Sequence, residues 1–356
     1  MISERLKRLT PYTAGEQPQG REFIKLNTNE NPYPPAPEVS TALEAFDPRC
    51  LRLYPDPACT RLREAVAEPL GLSIENVFAG NGSDEVLSFA FYAFFDGARG
   101  PVLMPQFTYS FYPVYCDFYG IPYRRLPLRP DMSLDLSAYL GAGEACGIVF
   151  ANPNAPTGVA VSRSEIERLL ARAPSDRVIL VDEAYVDYGA ESVVPLIREH
   201  ENLLVVYTFS KSKSLAGMRL GFAYGSKPLI DAVFAVKDSF NSYPVDSLAQ
   251  VVGTAAAHAG AYYAEVNRRV VTTRRAFASA LIERGATVLP SSTNFVFASF
   301  PGRAGRSVYA HLKERGILVR HFEIPGISDF VRISMGTEEQ MGAFLAEVDR
   351  WMKHGF

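Results

Sequence analysis

Cysteine is scarce in this sequence. Cys50, Cys59, Cys116 and Cys146 are its only four in 356 residues, and no two form a CxxC pair. That excludes a disulfide framework or a thiolate zinc site as the organising feature. The five histidines are scattered with no HExxH-like pair, so no dedicated metal site is expected. An excess of one charge is also missing. The formal net charge is -3, which describes an ordinary soluble protein and leaves no footprint for nucleic acid. Long apolar runs are absent: the longest, Val86 to Phe95, is interrupted by Ser88 and is far too short to span a membrane. The first nine residues lack the apolar stretch of a secretory leader, so a cytoplasmic chain with reduced thiols is expected. Gly80-x-Gly82 meets Glu85 at the third glycine position, so the dinucleotide fingerprint is missing.

There is enough apolar sequence for two domains. Residues 1–40 are rich in Pro, Asn and Gly. Within them, Asn27-Thr-Asn-Glu-Asn-Pro-Tyr-Pro-Pro35 cannot run as a helix, because proline lacks the N–H and restricts its predecessor. This segment reads as an extended arm that joins the smaller domain. Residues 41–245 read as a large α/β domain. Its clearest runs are Gly147–Ala151, Val178–Val181 and Leu203–Tyr207, unalternating and rich in β-branched residues. Such runs suit strands of a mostly parallel central sheet buried on both faces. Between the first two runs, Ser162-Arg-Ser-Glu165 is a capping box, and Ile166, Leu169 and Leu170 form the stripe of a crossover helix. Residues 246–356 read as a smaller α+β domain, with helical sequence over 249–284 and strand candidates at 294–300, 317–320 and 330–334.

Each clear strand run ends in polar residues: Asn152-Pro-Asn154, Asp182-Glu183 and Ser210-Lys211. In an open α/β sheet a ligand sits beyond the carboxyl ends of the strands. One crevice should therefore receive Asn, Asp and Lys. A lysine there is desolvated enough to act as a nucleophile, although Ser210-Lys-Ser-Lys-Ser214 can also be a plain polar loop. A buried Asp182 needs a cationic partner or a strong donor, and a protonated pyridine nitrogen would serve, although a helix cap or a structural salt bridge accounts for Asp182 alone equally well. Gly82, Ser83 and Asp84 open a helix whose backbone N–H groups can hold a phosphate, and Arg219 could clamp the same group.

Together these residues resemble the fold-type-I, pyridoxal-phosphate-dependent aminotransferases, most closely the histidinol-phosphate aminotransferases. The matching segments run in order along nearly the whole chain. They are Thr10-Pro-Tyr12, Leu26-Asn-Thr-Asn-Glu-Asn-Pro32, Tyr54-Pro55, Gly82-Ser-Asp-Glu85, Thr108-Tyr109, Pro156-Thr-Gly158, Asp182-Glu-Ala-Tyr185, Ser210-Lys211 with Ala216-Gly-Met-Arg219, and Val331-Arg-Ile-Ser334. The resemblance implies a pyridoxal 5′-phosphate cofactor carried on Lys211 as a Schiff base. It implies Asp182 at the pyridine nitrogen, Tyr185 as donor to the phenolic oxygen and Tyr109 stacked on the ring. Gly82, Ser83, Asp84, Ser210 and Arg219 form the implied phosphate cradle. Tyr54 is implied to reach the phosphate of a neighbouring subunit, which makes the chain a homodimer with shared sites. Tyr12, Asn31, Arg320 and Arg332 fall among the substrate-binding residues. Arg332 would grip a carboxylate and Arg320 a phosphate at the opposite end of the substrate, with Tyr12 closing over that phosphate.

Two positions depart from the family pattern. Many relatives have Asn where this chain has Ala155, and that asparagine donates to the phenolic oxygen. Either Asn154 or Asn152 replaces it, Asn154 then being a cofactor-binding residue, or Tyr185 acts alone. Lys213 stands where an aromatic or small residue is usual. The activity implied is transamination from histidinol phosphate to 2-oxoglutarate in histidine biosynthesis. An aromatic aminotransferase, a threonine-phosphate decarboxylase and a non-catalytic cofactor-binding module remain as alternatives.

Overall fold

The structure, a computed structural model, describes residues 2–7, 9–18, 20 and 22–354. Two sheets organise it. Strand β1 (Ile24–Lys25) lies in the N-terminal arm. The larger sheet takes β2 (Val77–Asn81), β3 (Val102–Pro105), β4 (Tyr123–Leu126), β5 (Gly147–Ala151), β6 (Val178–Asp182), β7 (Leu203–Thr208) and β8 (Leu220–Gly225). Their spatial order is β2-β8-β7-β6-β5-β3-β4. The pairs from β7 through β4 are parallel, and β8 runs antiparallel to both β7 and β2.

The unalternating runs are strands because both faces are covered. Ile148, Phe150, Ile179, Val181, Leu203 and Val205 enter one apolar core. Val149, Leu180, Leu204 and Val206 enter the other. Any one of them contributes roughly 1.5–3 kcal/mol by full burial. The crossover helix runs Arg163–Arg172, with the Ser162–Glu165 capping box formed in both directions and Ile166, Leu169 and Leu170 buried. Gly82–Phe94 is a helix beginning directly after β2, so Ser83 and Asp84 lie in its first turn.

The smaller sheet is antiparallel. It has the order β12-β13-β10-β9, from β9 (Thr287–Val288), β10 (Phe295–Ser299), β12 (Arg320–His321) and β13 (Phe330–Ser334). It packs on the helices Gly260–Glu283 and Glu338–His354 through Phe277, Leu281, Phe344, Val348 and Trp351. The strand expected over 317–320 is instead two short strands. β11 (Ile317–Leu318) pairs with β1 of the arm, and β12 pairs with β13. The chain changes partner at Val319, which ties the arm to the edge of the smaller sheet. No helix among the described residues is long and apolar enough to cross a membrane.

Candidate active site

A cleft of about 430 Å³ opens beyond the carboxyl ends of β5, β6 and β7, between the two sheets and the arm. Ala151 closes β5, Asp182 closes β6, and Ser210 and Lys211 follow β7; all four line the cleft. The expected convergence of strand ends on one crevice holds for Asp and Lys.

Asp182 is buried at the cleft floor. Tyr112 Oη donates to its Oδ2 at 2.8 Å, and the Ala184 N–H donates to its Oδ1 at 3.1 Å. Burial pushes its pKa up to about 6 despite those bonds. Among the described residues no lysine or arginine forms an ion pair with it. Lys211 Nζ donates to the Thr28 carbonyl at 3.1 Å and lies 5.9 Å from the Tyr185 ring centre.

The helix beginning at Gly82 brings Ser83 and Asp84 to the rim. The Asp84 carboxylate accepts from Arg219 Nη2 at 3.0 Å and from Tyr109 Oη at 2.9 Å. Its side chain is thus engaged, and what Asp84 and Ser83 offer an anion is backbone N–H at a helix start. The space there is held open by glycine. A Cβ on Gly82 would lie 2.5 Å from Arg219 Nη2, and one on Gly221 would lie 2.2 Å from Ser83 N. The Ser210 N–H is held by Thr208 Oγ1 at 3.1 Å.

On the opposite wall, β12 and β13 place Arg320 directly across from Arg332 in register. Both line the cleft, and their guanidinium carbons lie 5.7 and 5.5 Å from the Phe322 ring centre. Arg332 Nη2 donates to the Asn27 carbonyl at 3.1 Å, while its Nε is buried without a partner among the described residues. Burial lowers the pKa of Arg332, and the nearby Arg320 charge adds to that shift. Arg320 donates to the Thr13 and Ala14 carbonyls at 3.1 and 3.4 Å and so fastens the arm. Tyr12 lines the cleft, its ring 4.8 Å from Phe111 and 6.4 Å from Tyr109. The two arginines are neighbours on one face, which corrects the expectation that they grip opposite ends of a substrate.

Four further expected residues lie outside the cleft. Asn154 is fully buried, and its amide donates to the Phe107 carbonyl at 2.9 Å and to Thr157 Oγ1 at 3.1 Å. Asn152 is closed on Val161 at both ends of its amide. Neither replaces the missing donor at Ala155, which itself lines the cleft. Asn31 stands behind the lysine and donates to the Lys211 carbonyl at 3.2 Å, so its placement among substrate-binding residues is corrected. Tyr54 is 82% exposed and stacks on Tyr243 at 4.7 Å. Three residues not singled out from sequence matter here: Tyr112, which holds Asp182, Gly221 under the Gly82–Ser83 peptide, and Asn29, which donates to Tyr185 Oη at 2.9 Å.

Comparison with known proteins shows the family of this chain. The family model "Aminotransferase class I and II" matches residues 21–348. The chain is 55% identical to the histidinol-phosphate aminotransferase of Syntrophus aciditrophicus, over 98% of both chains. It is 52% identical to that of Chromohalobacter salexigens, over 98% of this chain and 97% of the relative. In fold it superposes on the crystal structure of histidinol-phosphate aminotransferase from Sinorhizobium meliloti in complex with pyridoxal-5′-phosphate. The TM-score is 0.87 at 24% identity, covering 99% of this chain and 98% of that one.

Proposed function

This chain belongs to the class I and II aminotransferases, and among them to the histidinol-phosphate aminotransferases; on that premise we propose that its cleft holds pyridoxal 5′-phosphate on Lys211 and moves the amino group of histidinol phosphate to 2-oxoglutarate. The observation that carries the substrate assignment is the Arg320–Arg332 pair. Like charges directly opposed across two strands repel, and here no carboxylate among the described residues pairs with either. A substrate anion resolves the repulsion. Histidinol phosphate carries its phosphate ester on the carbon beside the amine-bearing carbon, where glutamate carries its α-carboxylate. One adjacent pair of arginines can therefore serve both amino donors. The orphaned Arg332 Nε, with Nη2 beside it, is the fork that a carboxylate or phosphate accepts from.

The cofactor suits the residues present. Asp182, buried without a cation, would take a protonated pyridine nitrogen, and that carboxylate keeps the nitrogen charged. The backbone N–H groups of Ser83 and Asp84, with Ser210 and Arg219, would hold its phosphate where Gly82 and Gly221 leave room. Tyr109 would cover the ring and Tyr185 would donate to the phenolic oxygen. Bound there, the cofactor supplies an electron sink for the pair released at the amine-bearing carbon. Lys211 Nζ takes the proton from that carbon, acting as general base from the end of a buried strand. Tyr12 and the arm, fastened by Arg320, exclude water over the arginine pair.

The active form is a homodimer in the cytoplasm. Tyr54 is exposed and does not line its own cleft, and it would complete the phosphate site of the second subunit.

Borohydride reduction of the yellow protein, followed by peptide mapping, should place the label on Lys211. Label on Lys213, or none, would remove the cofactor assignment. A coupled assay with histidinol phosphate, phenylalanine and threonine phosphate should favour the first. Preference for either of the others would replace the substrate assignment and leave the cofactor chemistry standing.

A further inference from the structure

The wall of the cleft beside Tyr185 lacks a donor that the rest of the site would use. Ala155 presents a methyl group there, and the amides of Asn152 and Asn154 are engaged elsewhere. A single phenol is a poor substitute unless its proton points the right way. A tyrosine hydroxyl rotates and can accept or donate with little preference. What fixes the Tyr185 proton is therefore a functional question.

The answer lies in the arm. The Asn29 backbone N–H donates to Ser334 Oγ at 2.9 Å, so that oxygen already accepts. The Ser334 hydroxyl proton is then free to go to Asn29 Oδ1, at 2.8 Å. This sets the orientation of the amide: its oxygen faces Ser334 and its NH2 faces Tyr185 Oη at 2.9 Å. An amide nitrogen donates and has no lone pair to accept with. Tyr185 must accept from Asn29, and its own proton must turn away from it. The Tyr185 ring is held edge-on against Phe295, with centres 5.3 Å apart, and the residue lines the cleft.

Asn29 is held firmly enough for this task. It is 1% exposed, and its carbonyl accepts from Asn294 Nδ2 at 2.9 Å. Its backbone is left-handed, with φ 56°. Glycine takes that conformation at no steric cost, whereas most L-residues do so at some cost. An asparagine here has the amide as compensation.

We propose that Asn29 is a positioning residue that, fixed by Ser334, aims the Tyr185 hydroxyl proton into the cleft and so makes Tyr185 the side-chain donor that replaces the one absent at Ala155. The proposal rests on the cofactor reading given above. The acceptor is the phenolic oxygen of pyridoxal phosphate. A donor at that oxygen stabilises its negative charge most when the linkage to Lys211 is unprotonated, and so lowers the pH at which the linkage loses its proton.

The test is a pH titration of the visible absorption band of the cofactor-loaded protein. Tyr185→Phe should raise the midpoint by about one pH unit, roughly tenfold in the dissociation constant, as for one hydrogen bond to a charged group. Asn29→Gly keeps the left-handed backbone and removes the amide, and should raise the midpoint in the same direction. Asn29→Asp offers Tyr185 a carboxylate to donate to, turns the proton away, and should raise it at least as far as Tyr185→Phe. The double variant Asn29→Gly with Tyr185→Phe should match Tyr185→Phe alone. Ser334→Ala, which removes the hydroxyl that fixes the Asn29 amide and also accepts from the Asn29 N–H, should give a partial rise. An unshifted midpoint in Asn29→Gly, where Tyr185→Phe does shift, would overturn the proposal. Additive shifts in the double variant would also overturn it, because Asn29 would then act on the cofactor directly. A wild-type protein that takes up no band would instead remove the cofactor reading, and the proposal with it.

Discussion

Replacing Asp182 with asparagine should change stability and catalysis in opposite directions. The carboxyl is buried, and its pKa is raised from 3.8 to about 6, chiefly by the loss of water around the charge. Folding therefore favours the protonated form. In the cofactor-free protein, the stability tied to Asp182 falls as pH climbs from about 4 to about 6. It then stays lower by about 3 kcal/mol, two pKa units at 1.36 kcal/mol each. Asparagine removes this cost without a cavity. Its oxygen can accept from the Ala184 N–H, and its NH2 can donate to Tyr112 Oη, which then accepts. Urea unfolding of the cofactor-free variant should thus show a gain over wild type of up to about 3 kcal/mol at pH 8, shrinking toward pH 5.

With cofactor bound, the sign reverses. A neutral amide cannot keep the pyridine nitrogen protonated, and a lost buried charge pair is worth roughly 3–5 kcal/mol. That is about a hundredfold to several thousandfold in kcat. Stabilised when empty and disabled when loaded is a combination that a purely structural carboxylate does not give. A variant less stable than wild type at pH 8, or one turning over normally, would refute the reasoning.

Gly221→Ala should raise the Kd for pyridoxal phosphate at least about tenfold, because its Cβ would meet the Ser83 N–H at 2.2 Å and push the turn off the phosphate; quenching of the protein's fluorescence on cofactor addition reads this. Arg320→Ala should raise KM for histidinol phosphate about thirtyfold, from roughly 2 kcal/mol for one charged hydrogen-bonded contact, with a smaller rise for glutamate. The same variant should also speed proteolysis of the arm near Thr13, whose carbonyl Arg320 holds. Tyr54→Phe should loosen the cofactor's phosphate, and mixing that variant with Lys211→Ala should restore one fully competent site per hybrid dimer; no recovery would place Tyr54 in its own subunit's site. Cofactor-free wild-type protein should lose stability steadily from about pH 5 to pH 8, because Asp182 and Glu183 (raised to about 8, first by burial) both bind protons on folding; a flat profile would contradict both burial costs.

Strands β5, β6 and β7 were legible because burial on both faces demands runs that no helix of five residues would show. Since strand ends are fixed by those runs, Asp182 and Lys211 followed directly. The direction in which a side chain turns was less legible. Asn152 and Asn154 sit at the same strand end as Ala151, but loop closure on Val161, Thr157 and Phe107 consumes their amides. Asn31 lies two residues beyond Asn29, yet it meets the backbone of Lys211 while Asn29 meets Tyr185. Contacts across long separations were silent. Tyr112 and Asp182 are 70 residues apart, and Asn29 and Ser334 are 305 apart. That a ring would cover the cofactor side came only from the Thr108-Tyr109 match to the family. The Arg320–Arg332 pairing needed register, and register needs the observed break at Val319 between β11 and β12.

Several departures from ordinary backbone and charge pairing gather around the cleft. Asn29 and Arg219 adopt left-handed backbone, at φ 56° and 52°. Asp182 is buried with no cation bonded to it, and Arg320 opposes Arg332. Such departures persist only where something else over-determines them. The charged groups lining the cleft show what that is. Lys211, Arg219, Arg320 and Arg332 stand against Glu30, Asp84 and Asp182, four cations to three carboxylates. Glu30 is bonded to Lys25 at 2.6 Å, and Asp84 to Arg219. Asp182 then wants one cation, while Arg320 and Arg332 want anionic charge approaching two. A pyridinium answers the first need, and a phosphate monoester, with its charge near two at neutral pH, answers the second. A dicarboxylate such as glutamate brings one carboxylate to the same pair, which is why the phosphorylated donor should suffer more than glutamate when Arg320 is removed.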